Sequence, residues 1–244
     1  MSETRRLPRS NYAAKLGEFS DFVFTEGQAF ARAGRWHGYF ASRIGSKFDG
    51  RVMLELGCSD GTLLTTVAAR YPDTAFVGLD WKCKPLHDCA SRLVSEGLRN
   101  VALLRARGQD VGWIFGEGEV DEIWLFHPDP CDTPVEFKNR LMGDAFLKDA
   151  FRVLRNGGFI ALKTDHAGYY QWTVDLLRGR SVDGFRVVLT SSHCWEDEEA
   201  QRQTKGHCFA GLTTPFEARF LKKRQPIYYV EIRKQSRDEK GRPR

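Results

Sequence analysis

Two loops place carboxylates where the backbone is constrained. In "EIWLFHPDPCDTPVEFKNRL" (residues 122–141) an apolar strand runs into Pro128-Asp129-Pro130, and proline lacks the backbone donor a sheet ladder needs. Asp129 is therefore pinned at a strand end. In "LELGCSDGTLL" the residues Glu55, Gly57 and Gly61 lie between an apolar strand and the mouth of a helix, where glycine lets the backbone pass close to a ligand. Asp80 ends "AFVGLD" 19 residues beyond Gly61, at the position from which an acid accepts both hydroxyls of a ribose. The combination predicts a nucleotide-like cofactor.

Two cofactors carry that ribose, and the loop separates them. A dinucleotide fingerprint requires G-x-G-x-x-G, but Ser59 stands at the second glycine position and Thr62 at the third. Glu55 would repel a pyrophosphate, whereas it suits the ammonium and sulfonium end of S-adenosylmethionine. The alternatives are an NAD-dependent oxidoreductase, a non-catalytic RNA-binding relic, and a glycine turn in an α/β fold that binds nothing.

These loops need a scaffold. Six apolar runs, "RVMLELG", "TAFVGLD", "NVALLRA", "EIWLFHP", "GGFIALKTD" and "FRVVLTSS", alternate with amphipathic stretches such as "DGTLLTTVAARYP" and "GDAFLKDAFRVLRNGG". Continuous apolar strands between helices predict a mostly parallel sheet covered on both faces. "PIYYVEIRK" supplies a last strand. Ahead of the first one, "EGQAFARAGRWHGYFASRIGSKF" carries Phe30, Trp36, Tyr39 and Phe40 at helical spacing and predicts a helix on the sheet. Residues 1–20 are expected to be a flexible tail, 21–234 a single domain and 235–244 a basic tail.

The 244 residues, 41% hydrophobic and 28% charged, suffice for a full core. No apolar run approaches the roughly 20 residues of a membrane span, and a cytoplasmic location is expected. The net charge of +5 is uneven: residues 222–244 hold nine Lys/Arg against three acids, which favours a polyanionic partner or serves as a solubilising end. "WEDEEA" at 195–200 reads as a solvated turn or helix start. Six cysteines without a CxxC pair fit free thiols. His193-Cys194 and His207-Cys208 could in principle supply zinc ligands, but their spacing favours two separate sites and no metal is assigned.

Taken together, "LELGCSDG", "FVGLD", "LFHPDP", "NGGFIALKTD" and "TPFE" (214–217), followed by Arg219 and "PIYYVEI", make the chain similar to the bacterial-type tRNA (guanine-N7)-methyltransferases over roughly residues 50–232. The resemblance implies a class I methyltransferase, a Rossmann-like α/β fold with an antiparallel C-terminal strand, with S-adenosylmethionine as donor and guanine N7 of tRNA as acceptor. It implies that Asp129 lies where cofactor methyl and base meet, and that Asp165, Thr214 and Glu217 bind the acceptor. The cofactor set is Glu55, Gly57, Gly61, Asp80, Trp81, Arg107, Gly108 and His127. The family's Asp-Ala near the adenine corresponds to Arg107-Gly108, with Asp110 three residues late.

Two further departures concern the acceptor. The family's Phe-Pro-Asp-Pro-Trp reads Phe126-His127-Pro128-Asp129-Pro130-Cys131 here, and the following loop, normally crowded with basic residues, retains only Lys138 and Arg140. Fewer cations weaken polyanion binding steeply. A small purine-like or other heteroaromatic acceptor therefore stands as an alternative to tRNA, with monomer and homodimer both open. Guanine presents N–H donors on its Watson–Crick edge, and carboxylates accept from donors, so Asp165 and Glu217 are expected to hold the base, with Thr214 as an auxiliary hydroxyl. The structural alternative for each is a helix cap or an ion pair.

Overall fold

The computed structural model describes residues 7, 10–179 and 184–235. Eight strands form one sheet: β1 (Val23–Thr25), β2 (Val52–Leu56), β3 (Ala75–Asp80), β4 (Val101–Arg105), β5 (Val120–Phe126), β6 (Leu154–Thr164), β7 (Phe185–Ser191) and β8 (Tyr228–Lys234). Their order is β1-β4-β3-β2-β5-β6-β8-β7. The pairings from β1 through β6 are parallel, and β8 runs antiparallel to both β6 and β7. The predicted mostly parallel sheet with an antiparallel last strand is the observed one. Order reverses at β2, and in open α/β sheets ligands bind at such a switch point, beyond the carboxyl ends of the strands.

Ten helices connect and cover the strands among the described residues: α1 (Tyr12–Lys15), α2 (Glu26–Phe30), α3 (Trp36–Ile44), α4 (Thr62–Arg70), α5 (Cys83–Ser95), α6 (Val111–Ile114), α7 (Asp144–Val153), α8 (Ala167–Gly179), α9 (Glu198–Thr204) and α10 (Pro215–Lys222). Side chains alternate across a strand, so Ile123 and Leu125 pack under α3, α7 and α8 while Trp124 and Phe126 pack with α4, α5 and Phe209 on the other face. Both faces are buried, which explains why the central strands read as unbroken apolar runs. None of the described helices is long and apolar enough to cross a membrane.

Three expectations change. The aromatic segment before β2 is two helices, because Gly34 at φ +75° turns the chain between α2 and α3; Trp36 and Phe40 are nonetheless fully buried. Residues 12–19, assigned to a flexible tail, form α1 and a 3-10 turn that bury Leu16 beside α5. The three-residue β1 was not predicted; it is too short to carry a periodic signal and is recruited by pairing with β4. The basic tail at 235–244 lies, apart from Gln235, outside the described residues.

The acidic "WEDEEA" run starts α9: Asp197 caps it by accepting from the Ala200 N–H at 3.0 Å, and Glu198 and Glu199 occupy the first turn, where the helix dipole favours negative charge. The two His-Cys pairs belong to separate networks. His193 lies 3.5 Å from Glu196, and His207 meets Glu231 of β8 at 2.9 Å.

α10 is fixed to the sheet by a buried charge pair. Glu217 is fully buried; its Oε1 accepts from Lys163 Nζ of β6 at 3.0 Å and from the Trp195 indole N–H at 2.6 Å. Its Oε2 accepts from the Thr214 backbone N–H at 3.2 Å, while Thr214 Oγ1 accepts from the Glu217 N–H at 3.0 Å. This is a capping box with its acid also serving as a counter-ion. The ammonium sits 5.0–5.7 Å from the ring centres of Trp195, Phe126 and Phe209. Removing one member of such a pair leaves a charge buried alone, a loss of about 3–5 kcal/mol. Glu217→Ala is expected to lower unfolding free energy by about that amount in urea denaturation, and Glu217→Ala with Lys163→Met to recover much of it. An unchanged denaturation midpoint for the single variant would contradict the anchoring role.

Candidate active site

The glycine loop closes on the end of β3. The Gly57 and Cys58 N–H groups both donate to the Leu79 carbonyl, at 2.7 and 3.1 Å. Gly57 has φ +80°, and a Cβ there would meet no atom within 4 Å, so the loop faces open space. Gly61, the N-cap of α4, has φ +70°, and a Cβ there would come within 2.0 Å of Cys89 Sγ on α5. A side chain at Gly61 is excluded twice, by the left-handed backbone and by the close helix. The two glycines therefore differ in purpose: one leaves room in front of the loop, the other lets α4 and α5 close behind it.

Glu55 points its carboxylate into this turn from β2. It is buried, Oε2 has no hydrogen-bond partner, and its pKa is pushed up to about 8, first by burial and then by the charges of Asp60 and Asp80. Asp80 is also raised by burial, although its Oδ2 accepts from the Ser59 N–H at 3.1 Å and its Oδ1 from the Lys82 N–H at 2.8 Å. Three acids thus converge with no described cation to neutralise Glu55. A cationic ligand fits that requirement, and Oε2 has an acceptor position for it. Asp60 was not assigned from the sequence, although it lies in "LELGCSDG"; only its neighbours had a motif role.

Trp81 follows Asp80 and is 44% exposed, with the Lys82 ammonium 5.3 Å from its ring centre. Arg107 precedes the 3-10 turn Gly108–Asp110, and its Nε is buried without a partner among the described residues. Gly108 serves packing, since a Cβ there would come within 2.8 Å of the Leu141 side chain. Asp110 shares a hydrogen bond with Glu26 of α2, and burial raises both acids. One proton between two carboxylates accounts for the contact. Glu26 carried no sequence signal, because it reaches Asp110 only through the β1–β4 pairing.

Pro128-Asp129-Pro130 lies at the end of β5, beside β2; Leu125 is in register with Leu56, so this loop and the glycine loop leave neighbouring strand ends. The turn begins at His127, which has φ +53°, and its N–H donates to the Lys163 carbonyl at 2.8 Å. Asp129 is exposed, and its Oδ1 accepts from the Cys131 N–H at 3.2 Å. The carboxylate is held by its own turn and faces solvent.

His127 was expected among the cofactor residues; its ring turns to Asp165 and α10. Nδ1 is 3.1 Å from Asp165 Oδ1, and the ring packs on Phe216 and Phe220 of α10 at centroid distances of 5.1 and 6.4 Å. Burial lowers its pKa despite Asp165 and Glu217 nearby. The imidazole is thus neutral near pH 7 and is assigned as the Nδ1–H donor to Asp165. Asp165 follows β6 and remains partly exposed. Glu217 and Thr214, also expected to hold the base, are engaged in the capping box, and Glu217 is fully buried with both oxygens accepting hydrogen bonds inside the fold.

The loop after the prolines loses a further cation. Arg140 is buried: Nε donates to the Pro130 carbonyl at 2.9 Å, and the guanidinium lies 4.2 Å from the Phe137 ring centre and 5.0 Å from that of Trp172. It clamps the Asp129 turn instead of facing solvent. Asp132, in turn, meets His166 at 2.9 Å. A half-open cavity of about 170 Å³, lined by residues including Lys163, Trp195, Phe209 and Tyr229, takes no lining residue from either loop.

This geometry has known relatives. A family model described as "Putative methyltransferase" matches residues 49–230. The chain is 34% identical over 205 residues to a tRNA (guanine-N(7)-)-methyltransferase of Porphyromonas gingivalis, covering 83% of this chain and 77% of that protein. It is 30% identical over 204 residues to a protein of the same name from Christiangramia forsetii, covering 84% and 85%. Among solved structures, an antibiotic-related methyltransferase aligns with a TM-score of 0.57 at 19% identity, covering 80% of this chain and 92% of that one, a likeness of fold. With the glycine loop, the proline-flanked Asp129 and the switch point of the sheet in their places, and with such relatives over most of its length, the chain belongs to the tRNA (guanine-N(7)-)-methyltransferase family.

Proposed function

We propose that the protein methylates N7 of a guanine in tRNA, using S-adenosylmethionine. The observation that carries this reading is the buried Glu55, whose Oε2 has no partner, behind a glycine loop that opens beside the Asp129 turn. Glu55, Gly57, Asp80 and Trp81 would hold the cofactor, with Gly61 closing the loop behind it, and Arg107 would lie toward its adenine. The bound cofactor supplies an electrophilic methyl group on a sulfonium.

Purine N7 attacks through an in-plane lone pair that carries no proton, so no strong general base is required. The chain's contribution is alignment, an effect worth up to about 7–11 kcal/mol when the geometry is good. The Asp129 turn suits this work, because two prolines, the His127 backbone and the Arg140 clamp fix it before any ligand arrives. Asp165, oriented by His127, would accept from the N–H donors of the guanine edge, and a structured RNA would have to present that base unstacked.

The burial of Arg140 favours a second reading, in which the acceptor is a small heteroaromatic base, because Lys138 is then the sole solvent-facing Lys or Arg between residues 131 and 140. Incubation with labelled cofactor and either unmodified tRNA or a metabolite extract separates the two. The first reading expects label in tRNA at guanine N7, and label confined to a small molecule would replace it with the second.

Within either reading Asp129 has the same role. Asp129→Ala should leave folding and S-adenosylhomocysteine affinity nearly unchanged, since the side chain is exposed, while kcat falls by about two orders of magnitude. Calorimetric titration with the product and a single-turnover assay provide the two readouts. Wild-type turnover by this variant would reduce the Pro-Asp-Pro turn to a strand stop.

A further inference from the structure

The family resemblance leads one to look for RNA-binding cations in the loop after Asp129, yet that loop presents Asp132 and Glu136 to the surroundings and has withdrawn Arg140 into its own packing. Helix α10 has the complementary composition. α10 carries Phe216, Arg219, Phe220 and Lys223 at i, i+3, i+4 and i+7, where the last is the C-cap residue. At 3.6 residues per turn these four lie in one stripe. Its aromatic members pack on His127, the residue bonded to Asp165. Arg219 and Lys223 are exposed, and neither pairs with an acid among the described residues.

With a rise of about 1.5 Å per residue, Lys223 lies about 4.5 Å along the axis from Phe220, and Arg219 about 4.5 Å from Phe216. Both cations therefore stand within about one helical turn of the rings that pack on His127, the residue bonded to Asp165. Phe216 is 45% exposed at the edge of the stripe, and a ring flanked by cations is the surface that tracks single-stranded backbone. The helix is also rigidly placed, because Glu217 and the capping box tie its first turn to β6, so the cations project from a fixed element.

We infer that the Arg219–Lys223 stripe of α10 is the phosphate-docking surface for the nucleotides flanking the acceptor base, taking the place of the basic loop that this chain lacks. The inference rests on the proposed tRNA activity and adds which face of the protein the RNA backbone crosses. Lys222 falls outside the arc of the stripe, about 60° beyond Arg219, and Lys138 lies on the acidic loop; neither belongs to this surface.

The experiment compares wild type, Arg219→Ala/Lys223→Ala, the charge-preserving Arg219→Lys/Lys223→Arg, and Lys138→Ala, each checked for unchanged S-adenosylhomocysteine affinity. tRNA binding is measured by fluorescence anisotropy from about 50 to about 200 mM salt, the range over which each phosphate contact contributes steeply, and KM and kcat are measured on the same tRNA. The alanine pair is expected to raise the KM for tRNA with kcat nearly held. It should also flatten the slope of log affinity against log salt by about 1.4–1.8, corresponding to two lost phosphate contacts. The charge-preserving pair should keep most of the slope, and Lys138→Ala should change it less than the alanine pair does. If wild type methylates tRNA while the alanine pair keeps its slope and KM, or if Lys138→Ala causes the larger loss, the stripe is not the docking surface and the proposed activity stands. If wild type neither binds nor methylates tRNA, both fall together.

Discussion

The site is organised around a buried carboxyl group that no cation among the described residues neutralises. Glu55 lies at the end of β2, with one carboxylate oxygen unpartnered and with Asp60 and Asp80 close enough to raise its pKa. Burying an unpaired carboxylate costs several kcal/mol, and the usual response is to hold a proton. A pKa of about 8 means that the ligand-free protein is more stable below the ordinary carboxylate range. That contribution is lost as pH rises toward and through 8, unless a cation arrives. The glycine loop is built around this: Gly57 leaves the approach open, Gly61 lets α4 start against Cys89, and Asp80 ties the loop to β3 through the Ser59 N–H.

A second buried glutamate shows the opposite solution. Glu217 has Lys163, the Trp195 indole and the Thr214 N–H on its oxygens, and its role is to hold α10 in place over β6. Two buried carboxyl groups of one residue type thus divide into one whose oxygens are both satisfied within the fold and one whose Oε2 has no partner. The same distinction separates the arginines. Arg140 spends its charge on Pro130 and on aromatic faces to stiffen the Asp129 turn, whereas Arg219 keeps its charge in solvent beside Phe216.

What could be read from the sequence was local. The strands, the glycine loop, Asp80 as a strand-end acid and Asp129 between its prolines depend on neighbours within a few residues, and the fold places them as expected. The misassignments depend on long-range partners. Nothing near Glu217 announces Lys163, which is 54 residues earlier, although its spacing from Thr214 matches a capping box. Arg140 looked like a surface cation because its aromatic partners Tyr169 and Trp172 come from α8. Glu26 reaches Asp110 only because β1 pairs with β4. His127 stood beside a cofactor turn in sequence, but a positive φ and the Phe216–Phe220 face direct it to Asp165.

If the unneutralised Glu55 is what recognises the cofactor, binding S-adenosylmethionine must drive a proton off the protein. Calorimetry without RNA, in buffers of differing ionisation enthalpy, measures that proton directly. With the Glu55 pKa at about 8, release of about one proton is expected at pH 7, vanishing by about pH 9.5, and Glu55→Gln should abolish both the release and most of the affinity. Tight binding with no proton exchange at pH 7, or release undiminished in Glu55→Gln, would contradict the account.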